Sequence, residues 1–236
     1  MPNIISFLSQ KGGTGKTTLT MLSATFLHAL GAQVAVIDAD FPQHSFRRTR
    51  AKDLLDAADR AGDANPEASA DQLLFKKPYP VIDAPVKEAA VAFKTLKTSQ
   101  QLDFIFIDVP GTLNVEGMHE LMSSLDLVIV PVELEFKSIT AGLETMSFVR
   151  ALHPNVSLAL LWTKIKKNHK IAERQAYENF FREKQSPYIF EYMLPETVRI
   201  SQLMSTLVPQ PAVIQPFIQE ASQLLLGPDA AHSKRD

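Results

Sequence analysis

The sequence predicts an α/β fold in which a mostly parallel, twisted sheet is flanked by helices. Short apolar runs rich in Val, Ile and Leu alternate with helical segments of roughly 10–15 residues, an order typical of βαβ units. The runs Phe104–Asp108 and Leu127–Pro131 have the β-branched composition of strands that are buried on both faces. No break in composition marks a second domain. We therefore expect one domain over residues 1–226 and a frayed tail at residues 227–236.

Seven runs are predicted to be strands because apolar, β-branched or aromatic residues dominate each of them. The first run stops at a glycine-rich turn, the second closes on Asp38 and Asp40, and the fourth ends in Asp108 before a Pro-Gly turn. In chain order, the predicted strands are Ile4–Leu8, Gln33–Ile37, Tyr79–Ile82, Phe104–Asp108, Leu127–Pro131, Ser157–Thr163 and Tyr188–Met193.

The segments between and after these strands are predicted to be helices. In the first of them, Leu19, Leu22 and Phe26 recur at helical spacing, and Gly31 follows as a stop signal. The segment Ala61–Ser69, which reads AGDANPEAS, is expected to be an exposed loop. In chain order, the predicted helices are Thr17–Leu30, Ser45–Arg60, Val86–Leu96, Val115–Leu125, Ile139–Leu152, Lys170–Lys184, Ser201–Leu207 and Ala212–Leu226.

Composition excludes several classes of function. The chain has no cysteine, which removes disulfides, thiolate zinc sites, iron–sulfur ligation and cysteine nucleophiles. Lys and Arg number 24 against 26 Asp and Glu, so any nucleic-acid binding must come from a local patch. The start of the chain lacks the pattern of a secretory signal, and no apolar run approaches the roughly 18 residues of a membrane span. We therefore expect a cytoplasmic protein.

The strongest motif is a glycine-rich loop between the first predicted strand and the first predicted helix. Gly12, Gly13 and Gly15 lie in the sequence QKGGTGKTT, which is the context that a phosphate-binding loop requires. Glycines let backbone N–H groups turn toward phosphates, and the helix N-terminus adds its positive dipole end. Lys16 would then reach the β- and γ-phosphates, and the Thr17 hydroxyl would lie on Mg²⁺. The alternative is a glycine-rich turn with an incidental Lys-Thr pair.

The same loop resembles the deviant Walker A motif of the ParA/MinD class of P-loop ATPases. Gln10 replaces the first Gly of the common G-x-x-x-x-G-K-[ST] pattern, and Lys11 adds a second lysine. The resemblance implies that Lys11 crosses a dimer interface to the nucleotide of the partner subunit. Gln before that lysine is more similar to ParA partition ATPases than to MinD. The expected cofactors are ATP and Mg²⁺, and the expected nucleotide contacts in the loop are Lys11, Gly12, Gly13, Thr14, Gly15, Lys16, Thr17 and Thr18.

Two strand ends carry the expected catalytic and metal-binding carboxylates. The run VAVIDAD ends in Asp38 and Asp40, which face the same way in an extended strand, and FIFIDVPG ends in Asp108 before a Pro-Gly turn. The resemblance implies that Asp38 and Asp108 lie on Mg²⁺ or its waters. It also implies that Asp40 orients or deprotonates the attacking water, and that Gly111 offers its N–H near the γ-phosphate. Phe41 is inserted after Asp40, so family roles are not carried over to the next two residues.

The nucleoside end matches the family less closely. Thr163 stands at the end of a strand where relatives often place Asn against adenine. The guanine signature [NT]KxD is half present there, with Lys166 in place of its Asp, so guanine is not expected. The sequence LPETVR resembles the proline-containing loop that borders the base in relatives, which makes Pro195 and Glu196 candidate contacts.

A basic stretch follows Thr163 and predicts a DNA contact. Relatives bind DNA non-specifically through basic residues in their C-terminal half, and the alternative is a solvated helix face. The last helix has an apolar face without interleaved Lys or Arg, so it is expected to pack on the body of the protein, and no membrane anchor is expected. The candidate DNA contacts are Lys164, Lys166, Lys167, Lys170 and Arg174.

Together these features predict a ParA-like ATPase that dimerises on ATP and partitions or positions DNA. The resemblance implies slow hydrolysis stimulated by a ParB-like or other adaptor, and nucleoid association if DNA is bound. It is closest to the small type without an N-terminal helix-turn-helix, including plasmid or conjugative-element proteins. A related ATPase that positions a protein complex without DNA is the main alternative. A dethiobiotin-synthetase-like ligase and an inactive nucleotide site are the others.

Overall fold

Seven strands, all paired in parallel, form one sheet in the computed structural model, which describes residues 1–61, 77–97, 101–196 and 204–226. The order across the sheet is β3-β2-β4-β1-β5-β6-β7. This arrangement confirms the predicted fold class. The strands are β1 (Asn3–Phe7), β2 (Val34–Asp38), β3 (Val81–Asp83), β4 (Phe104–Asp108), β5 (Leu127–Glu133), β6 (Ser157–Thr163) and β7 (Tyr188–Ile189).

Helices cover both faces of this sheet. Each α-helix except the last leads from one strand to the next, as a parallel sheet requires. In the described residues, the helices are α1 (Lys16–Ala29), α2 (Ser45–Ala61), α3 (Val86–Lys97), α4 (Met118–Met122), α5 (Phe136–Leu152), α6 (Ile171–Gln185) and α7 (Pro211–Leu226).

Alternation along the strands divides the core into two layers. In β4, Ile105 and Ile107 belong to one buried cluster and Phe106 belongs to the other, because successive side chains point to opposite faces. Helices α1, α2 and α7 supply the cluster that contains Phe106, and α3 to α6 supply the opposite one. The sheet is therefore buried on both sides, as the apolar composition of its strands predicts.

Helix α7 packs on the body of the protein, as predicted from its apolar face. Ile214, Phe217 and Ile218 are buried, and the Phe217 ring lies 4.9 Å from the Phe190 ring and 6.0 Å from the Phe7 ring between centroids. None of the helices in the described parts of the chain has the length and hydropathy of a membrane span.

Three predicted elements differ from the structure. The helix predicted over Val115–Leu125 extends only from Met118 to Met122, because Gly117 has a φ of 86° and begins it late. The strand predicted over Tyr188–Met193 has two residues, although the Leu194 N–H still donates to the Trp162 carbonyl at 2.8 Å.

The third difference is at residues 204–207, which are not helical, whereas residues 201–203 lie outside the described part. There the Thr206 N–H donates to the Asp53 carboxylate at 2.6 Å, and the Leu207 N–H donates to the Ser205 hydroxyl at 3.1 Å. Side chains thus replace the hydrogen bonds that a helix would make. The predicted loop Ala61–Ser69 lies outside the described residues except for Ala61, which ends α2, and the predicted tail at residues 227–236 lies outside them too.

The strand order fixes where a ligand site can form. Strand β1 lies between β4 and β5. Strands β2 to β4 lie on one side of β1 and strands β5 to β7 lie on the other, so the strand order reverses at β1. In open α/β sheets, the crevice at the carboxyl ends of the strands at such a point is the usual ligand site. The glycine-rich loop follows β1 directly and therefore begins in this crevice.

Candidate active site

The loop between β1 and α1 has the backbone of an anion site. Gly13 and Gly15 have φ values of 75° and 95°, a left-handed conformation that residues with a Cβ rarely adopt. A Cβ added to Gly12, Gly13 or Gly15 would meet no heavy atom within 4 Å, so there is open space beside each of these residues. Gly15 is the N-cap of α1, whose first turn contains no acidic residue that would compete for its N–H groups. The arrangement fits a phosphate group.

Lys16 faces the strand-end carboxylates from the first turn of α1. Burial lowers its pKa, and the charges of Asp108 and Asp40 oppose that shift. A Cβ on Gly111 would lie 3.7 Å from the Lys16 Nζ, which shows that Gly111 lies directly beside the ammonium group. The structure therefore brings together the lysine of the loop and three of the residues predicted to act with it.

Asp108 is buried without a fixed partner. It is fully buried at the end of β4, and neither of its carboxylate oxygens accepts a well-formed hydrogen bond from the described residues. Burial raises the pKa of Asp108 to about 7, against the influence of the nearby Thr17 hydroxyl. Such a carboxylate, beside a hydroxyl and an open phosphate loop, fits a Mg²⁺ ion that keeps several of its waters. The described residues contain no cluster of three or more His, Asp or Glu side chains able to hold a metal unaided.

Asp38 is the register partner of Asp108 on the neighbouring strand β2. Its two carboxylate oxygens accept hydrogen bonds from backbone N–H groups, from Asp40 at 3.3 Å and from Arg47 at 3.0 Å. These bonds leave Asp38 less free than Asp108. Asp38 thus shapes the loop that carries Asp40 while remaining close to any ion bound beside Asp108.

Asp40 is partly buried beside Lys16. Burial raises the pKa of the Asp40 carboxyl, and the charge of Lys16 opposes this shift. The inserted residue that follows, Phe41, does not enter the site: it is 62% exposed and its ring contacts that of His44 edge-on, with the centroids 5.3 Å apart. The insertion therefore adds an exposed residue to the loop, and Asp40 remains close enough to Lys16 for their charges to interact.

Lys11 is held by two glutamates of its own chain. Its Nζ forms an ion pair with Glu133 at 3.1 Å and a second one with Glu135. Burial lowers the pKa of Lys11, but the hydrogen bonds and charges of Glu135 and Glu133 outweigh it and raise the pKa. Sequence reasoning missed both glutamates. Their signal is an acidic pair at the carboxyl end of β5, beside the strand that precedes the loop.

The residues predicted at the nucleoside end also lie close together. Thr163 is fully buried at the end of β6, and its hydroxyl has no hydrogen-bond partner among the described residues. The next turn pairs with the predicted base loop: the Ile165 N–H donates to the Leu194 carbonyl at 3.0 Å, and the Glu196 N–H donates to the Ile165 carbonyl at 2.9 Å. Ile165 also forms a parallel bridge with Pro195.

The five basic residues predicted to contact DNA differ in the contacts that they make. Lys164 reaches back to the phosphate loop, where its Nζ donates to the Gly13 carbonyl at 2.7 Å. Arg174 forms an ion pair with buried Glu178, which also accepts a hydrogen bond from the Trp162 indole at 2.9 Å. The remaining three residues are exposed and have no ion pair within the described part of the chain: Lys166, Lys167 and Lys170.

Asp83 is a further carboxylate at the same sheet edge that the sequence analysis did not predict. Asp83 ends β3 and is the register partner of Asp38. Its carboxylate lies 2.7 Å from the His44 Nδ1 and forms an ion pair with Arg47. The signal was present in the sequence, since three strands of this half end in Ile-Asp. Asp83 braces the loop that carries Asp40 from the side opposite Asp108.

A glycine loop after the first strand, a lysine and threonine at the start of the following helix, and acids at the neighbouring strand ends define a P-loop nucleoside triphosphatase. Comparison with known families narrows the class. Residues 3–175 match the family model described as ATPase MipZ, and the chain belongs to this family of ATPases.

Individual relatives place the chain in the wider ParA/MinD class, as predicted. It is 26% identical to the chromosome partitioning protein ParA of Caulobacter vibrioides, with 86% of this chain and 84% of ParA covered. It is 26% identical to the sporulation initiation inhibitor protein Soj of Bacillus subtilis, with 87% and 88% covered. The fold matches MinD in the MinC:MinD complex of Aquifex aeolicus with a TM-score of 0.67, at 21% identity and 94% and 95% coverage. The chain is thus similar to partition and positioning ATPases.

Proposed function

We propose that this ATPase is a Mg²⁺-dependent switch that dimerises when it binds ATP and, in that state, partitions or positions DNA. The observation that carries the proposal is the phosphate loop, with Lys11 at its start and Lys16 at its end facing Asp40 and Asp108. Phosphoryl transfer depends on positioning and on charge stabilisation, and this loop provides both.

The catalytic roles follow from position. The N–H groups of the loop from Lys11 to Thr18 bind phosphate oxygens, and Lys16 neutralises the β- and γ-phosphates. Asp40 orients the attacking water and accepts its proton, a role favoured by burial, which raises the pKa of its carboxyl toward the range of a general base. Gly111 lies beside Lys16, and its N–H would meet the γ-phosphate.

Mg²⁺, when bound by the Thr17 hydroxyl and by Asp38 and Asp108 through water, supplies positive charge to the phosphate oxygens. Thr163 offers its unpaired hydroxyl to the base, and Pro195 and Glu196 border it. No carboxylate occupies the position of the guanine signature, which favours adenine.

Lys11 is the residue that links nucleotide binding to dimerisation in this proposal. In the proposed dimer, this lysine leaves the glutamates of its own chain and contacts the nucleotide of the partner subunit. Its two ion pairs involve partly exposed groups, and surface pairs of this kind contribute about 0–1 kcal/mol each. They can therefore be exchanged for contacts with a polyphosphate. We also propose that residues 1–226 act as a single domain.

DNA binding is proposed for the exposed lysines at the start of α6 and in the turn before it. Lys166, Lys167 and Lys170 have no ion pairs within the described residues and are free to meet phosphates. An adaptor similar to ParB would stimulate hydrolysis, and DNA binding would place the protein on the nucleoid within the cytoplasm.

A second candidate function is the positioning of a protein complex without DNA. One observation favours it: Lys166 and Lys170 line a cleft of about 430 Å³ together with Glu135, Glu173 and Glu196. A surface of mixed charge suits a protein partner better than a polyanion. The MinD structure that matches the fold is itself a complex with the protein MinC.

The test is ATP hydrolysis by the purified protein with and without non-specific duplex DNA. We expect DNA to stimulate hydrolysis and the Lys11→Ala variant to lose the stimulation. The double variant Lys166→Glu, Lys167→Glu should weaken DNA binding at least about tenfold and reduce its dependence on salt. The double variant Lys52→Glu, Lys184→Glu reverses the same amount of charge at exposed lysines on α2 and at the end of α6, and therefore controls for net charge. If hydrolysis and DNA binding are the same in the Lys166→Glu, Lys167→Glu variant as in the unmodified protein, the protein-positioning function is favoured.

A further inference from the structure

We infer that Lys164 is a positioning residue for the phosphate loop, and the inference rests on the proposed binding of nucleotide there. Lys164 directly follows the last residue of β6 and has a left-handed φ of 52°. From this turn its side chain reaches across the sheet edge. The Nζ donates to the Gly13 carbonyl at 2.7 Å and pairs with Glu133 at 2.8 Å.

The contact matters because of how a phosphate loop is built. When the N–H groups of such a loop turn inward to an anion, some of its carbonyl groups turn outward and need other partners. In residues 12–15, the Gly15 carbonyl is used by the Leu19 N–H of α1 at 2.8 Å. The Gly13 carbonyl is held by Lys164. Because Gly13 lacks a side chain and has a φ of 75°, this bond restrains a segment that is otherwise free to change conformation.

Electrostatics favours this structural role over direct attraction of phosphate. Glu133 lies between Lys164 and Lys11 and forms an ion pair with each of them. Burial raises the pKa of the Glu133 carboxyl, but Lys164 and Lys11 outweigh it and lower the pKa, so the carboxylate stays ionised beside them. The charge of Lys164 is thus largely balanced before any nucleotide arrives. What remains is a strong hydrogen bond from an ammonium group to the loop backbone.

Such a bond acts equally on the bound substrate and on the transition state. A loop held in one conformation binds ATP and ADP more tightly, but it gains nothing further as the γ-phosphoryl group leaves. Losing the bond should therefore raise the KM for ATP and leave kcat unchanged. This distinguishes Lys164 from Lys16 and Asp40, whose loss should lower kcat.

The test compares Lys164→Met and Lys164→Arg with Lys184→Met. Lys184 is a matched control, because it is also about half exposed and ion-paired, with Glu183 at 2.9 Å, but it lies at the far end of α6. Titration with fluorescent ADP should show about tenfold weaker binding in Lys164→Met. The arginine variant should recover most of the affinity, since its guanidinium can still donate to the carbonyl. The KM for ATP should rise by a similar factor, with kcat within about twofold of the unmodified protein.

Two further measurements separate failure of the inference from failure of the proposed function. Without nucleotide, amide hydrogen exchange at residues 12–16 should be faster in Lys164→Met than in the unmodified protein, which tests the inference even if no nucleotide binds. The double variant Glu133→Gln, Lys164→Met tests the charge explanation. If removing the Glu133 charge restored affinity, repulsion by that carboxylate would explain the loss and the positioning role would fall. Equal ADP affinity and equal loop exchange in Lys164→Met would also overturn it.

Discussion

Lys16 and Asp108 lie where burial opposes their charged forms. Burial lowers the pKa of Lys16 and raises the pKa of Asp108 to about 7, and the Asp108 oxygens accept no well-formed hydrogen bond from the described residues. Charged groups held in such surroundings are a mark of functional sites, since a ligand of suitable charge repays the cost. For Asp108 this cost can be measured directly as a dependence of stability on pH.

We predict that Asp108→Asn stabilises the protein at pH 8 in the absence of Mg²⁺ and nucleotide. Below about pH 3, this carboxyl is neutral in both folded and unfolded chains. As pH rises toward 7, the unfolded chain ionises first, so the folded state loses stability, by up to about 4 kcal/mol for a shift of this size. Asn removes the loss. Urea denaturation should show a gain of about 4 kcal/mol at pH 8 and of only about 1 kcal/mol at pH 4.5, where the unfolded carboxyl is only slightly past its own pKa.

The control for this prediction is Asp126→Asn. Asp126 is an exposed acid whose carboxylate accepts the Ile4 N–H at 2.9 Å, so its replacement should give no gain at pH 8. A loss of stability in Asp108→Asn at pH 8 would contradict this prediction, because it would mean that neighbouring groups stabilise the ionised Asp108 carboxylate. Added Mg²⁺ and ATP should stabilise the unmodified protein more than the variant, which lacks the charge that a cation needs.

At the same scale, the sequence predicted which residues meet at the site better than it predicted their individual contacts. Lys16, Asp40 and Asp108 follow strand ends or a glycine loop, so their meeting at one sheet edge follows from topology alone. The pairing of Lys11 with Glu133 joins residues 122 positions apart, and that of Lys164 with Gly13 joins residues 151 apart. Those contacts depend on the direction of individual side chains, which hydrophobic periodicity does not specify. Lys164 is an example, because its place in a basic stretch predicts a DNA contact but does not predict its contact with Gly13.

At the scale of elements, the pattern of apolar residues correctly predicted the buried strands and the long helices. The strands Phe104–Asp108 and Ser157–Thr163 match their predicted bounds, because burial on both faces leaves a continuous apolar run. Prediction was weakest where side chains or special backbone conformations end an element. Helix α4 is one such case, since its start is set by Gly117 and not by the apolar residues around it.

Gly117 gives a prediction at this scale. Its φ is 86°, and a Cβ there would lie 2.5 Å from the Lys87 Cα and 2.9 Å from the Lys87 backbone N, at the start of α3. Because the obstacle is backbone, the two helices would have to move apart. We expect Gly117→Ala to destabilise the protein by about 2–4 kcal/mol, combining backbone strain and overpacking.

Gly31→Ala is the matched control for this effect. Gly31 has a φ of 101°, but a Cβ there would meet nothing within 4 Å, so only the strain remains. Its cost should be about 1–2 kcal/mol. Equal losses in the two variants, measured by urea denaturation, would show that α3 and α4 adjust freely and that their contact does not fix the start of α4.

At the scale of the whole molecule, the strand order gives the site two unlike halves. Strands β2 and β4, on one side of β1, bring Asp38 and Asp108 to the loop. Strands β5 and β6, on the other side, bring Glu133 and Lys164. The first half suits a cation and an attacking water. The second half holds the two other lysines of the loop region in ion pairs, and in the proposed dimer Lys11 must leave it.

We therefore predict that weakening this second half favours assembly. In Glu135→Gln, Lys11 keeps Glu133 but loses one of its two ion pairs, so less free energy is needed to release it to a partner subunit. A partly exposed pair contributes about 0.2–1 kcal/mol. Because both subunits release their Lys11, the apparent affinity of the dimer should increase by up to about thirtyfold. Sedimentation velocity with a non-hydrolysable ATP analogue measures this affinity. Glu183→Gln, which breaks the exposed Lys184 pair at the end of α6, should leave it unchanged. Weaker dimers in Glu135→Gln would instead place Glu135 itself in the interface, where it would help to bind the partner subunit and would not restrain Lys11.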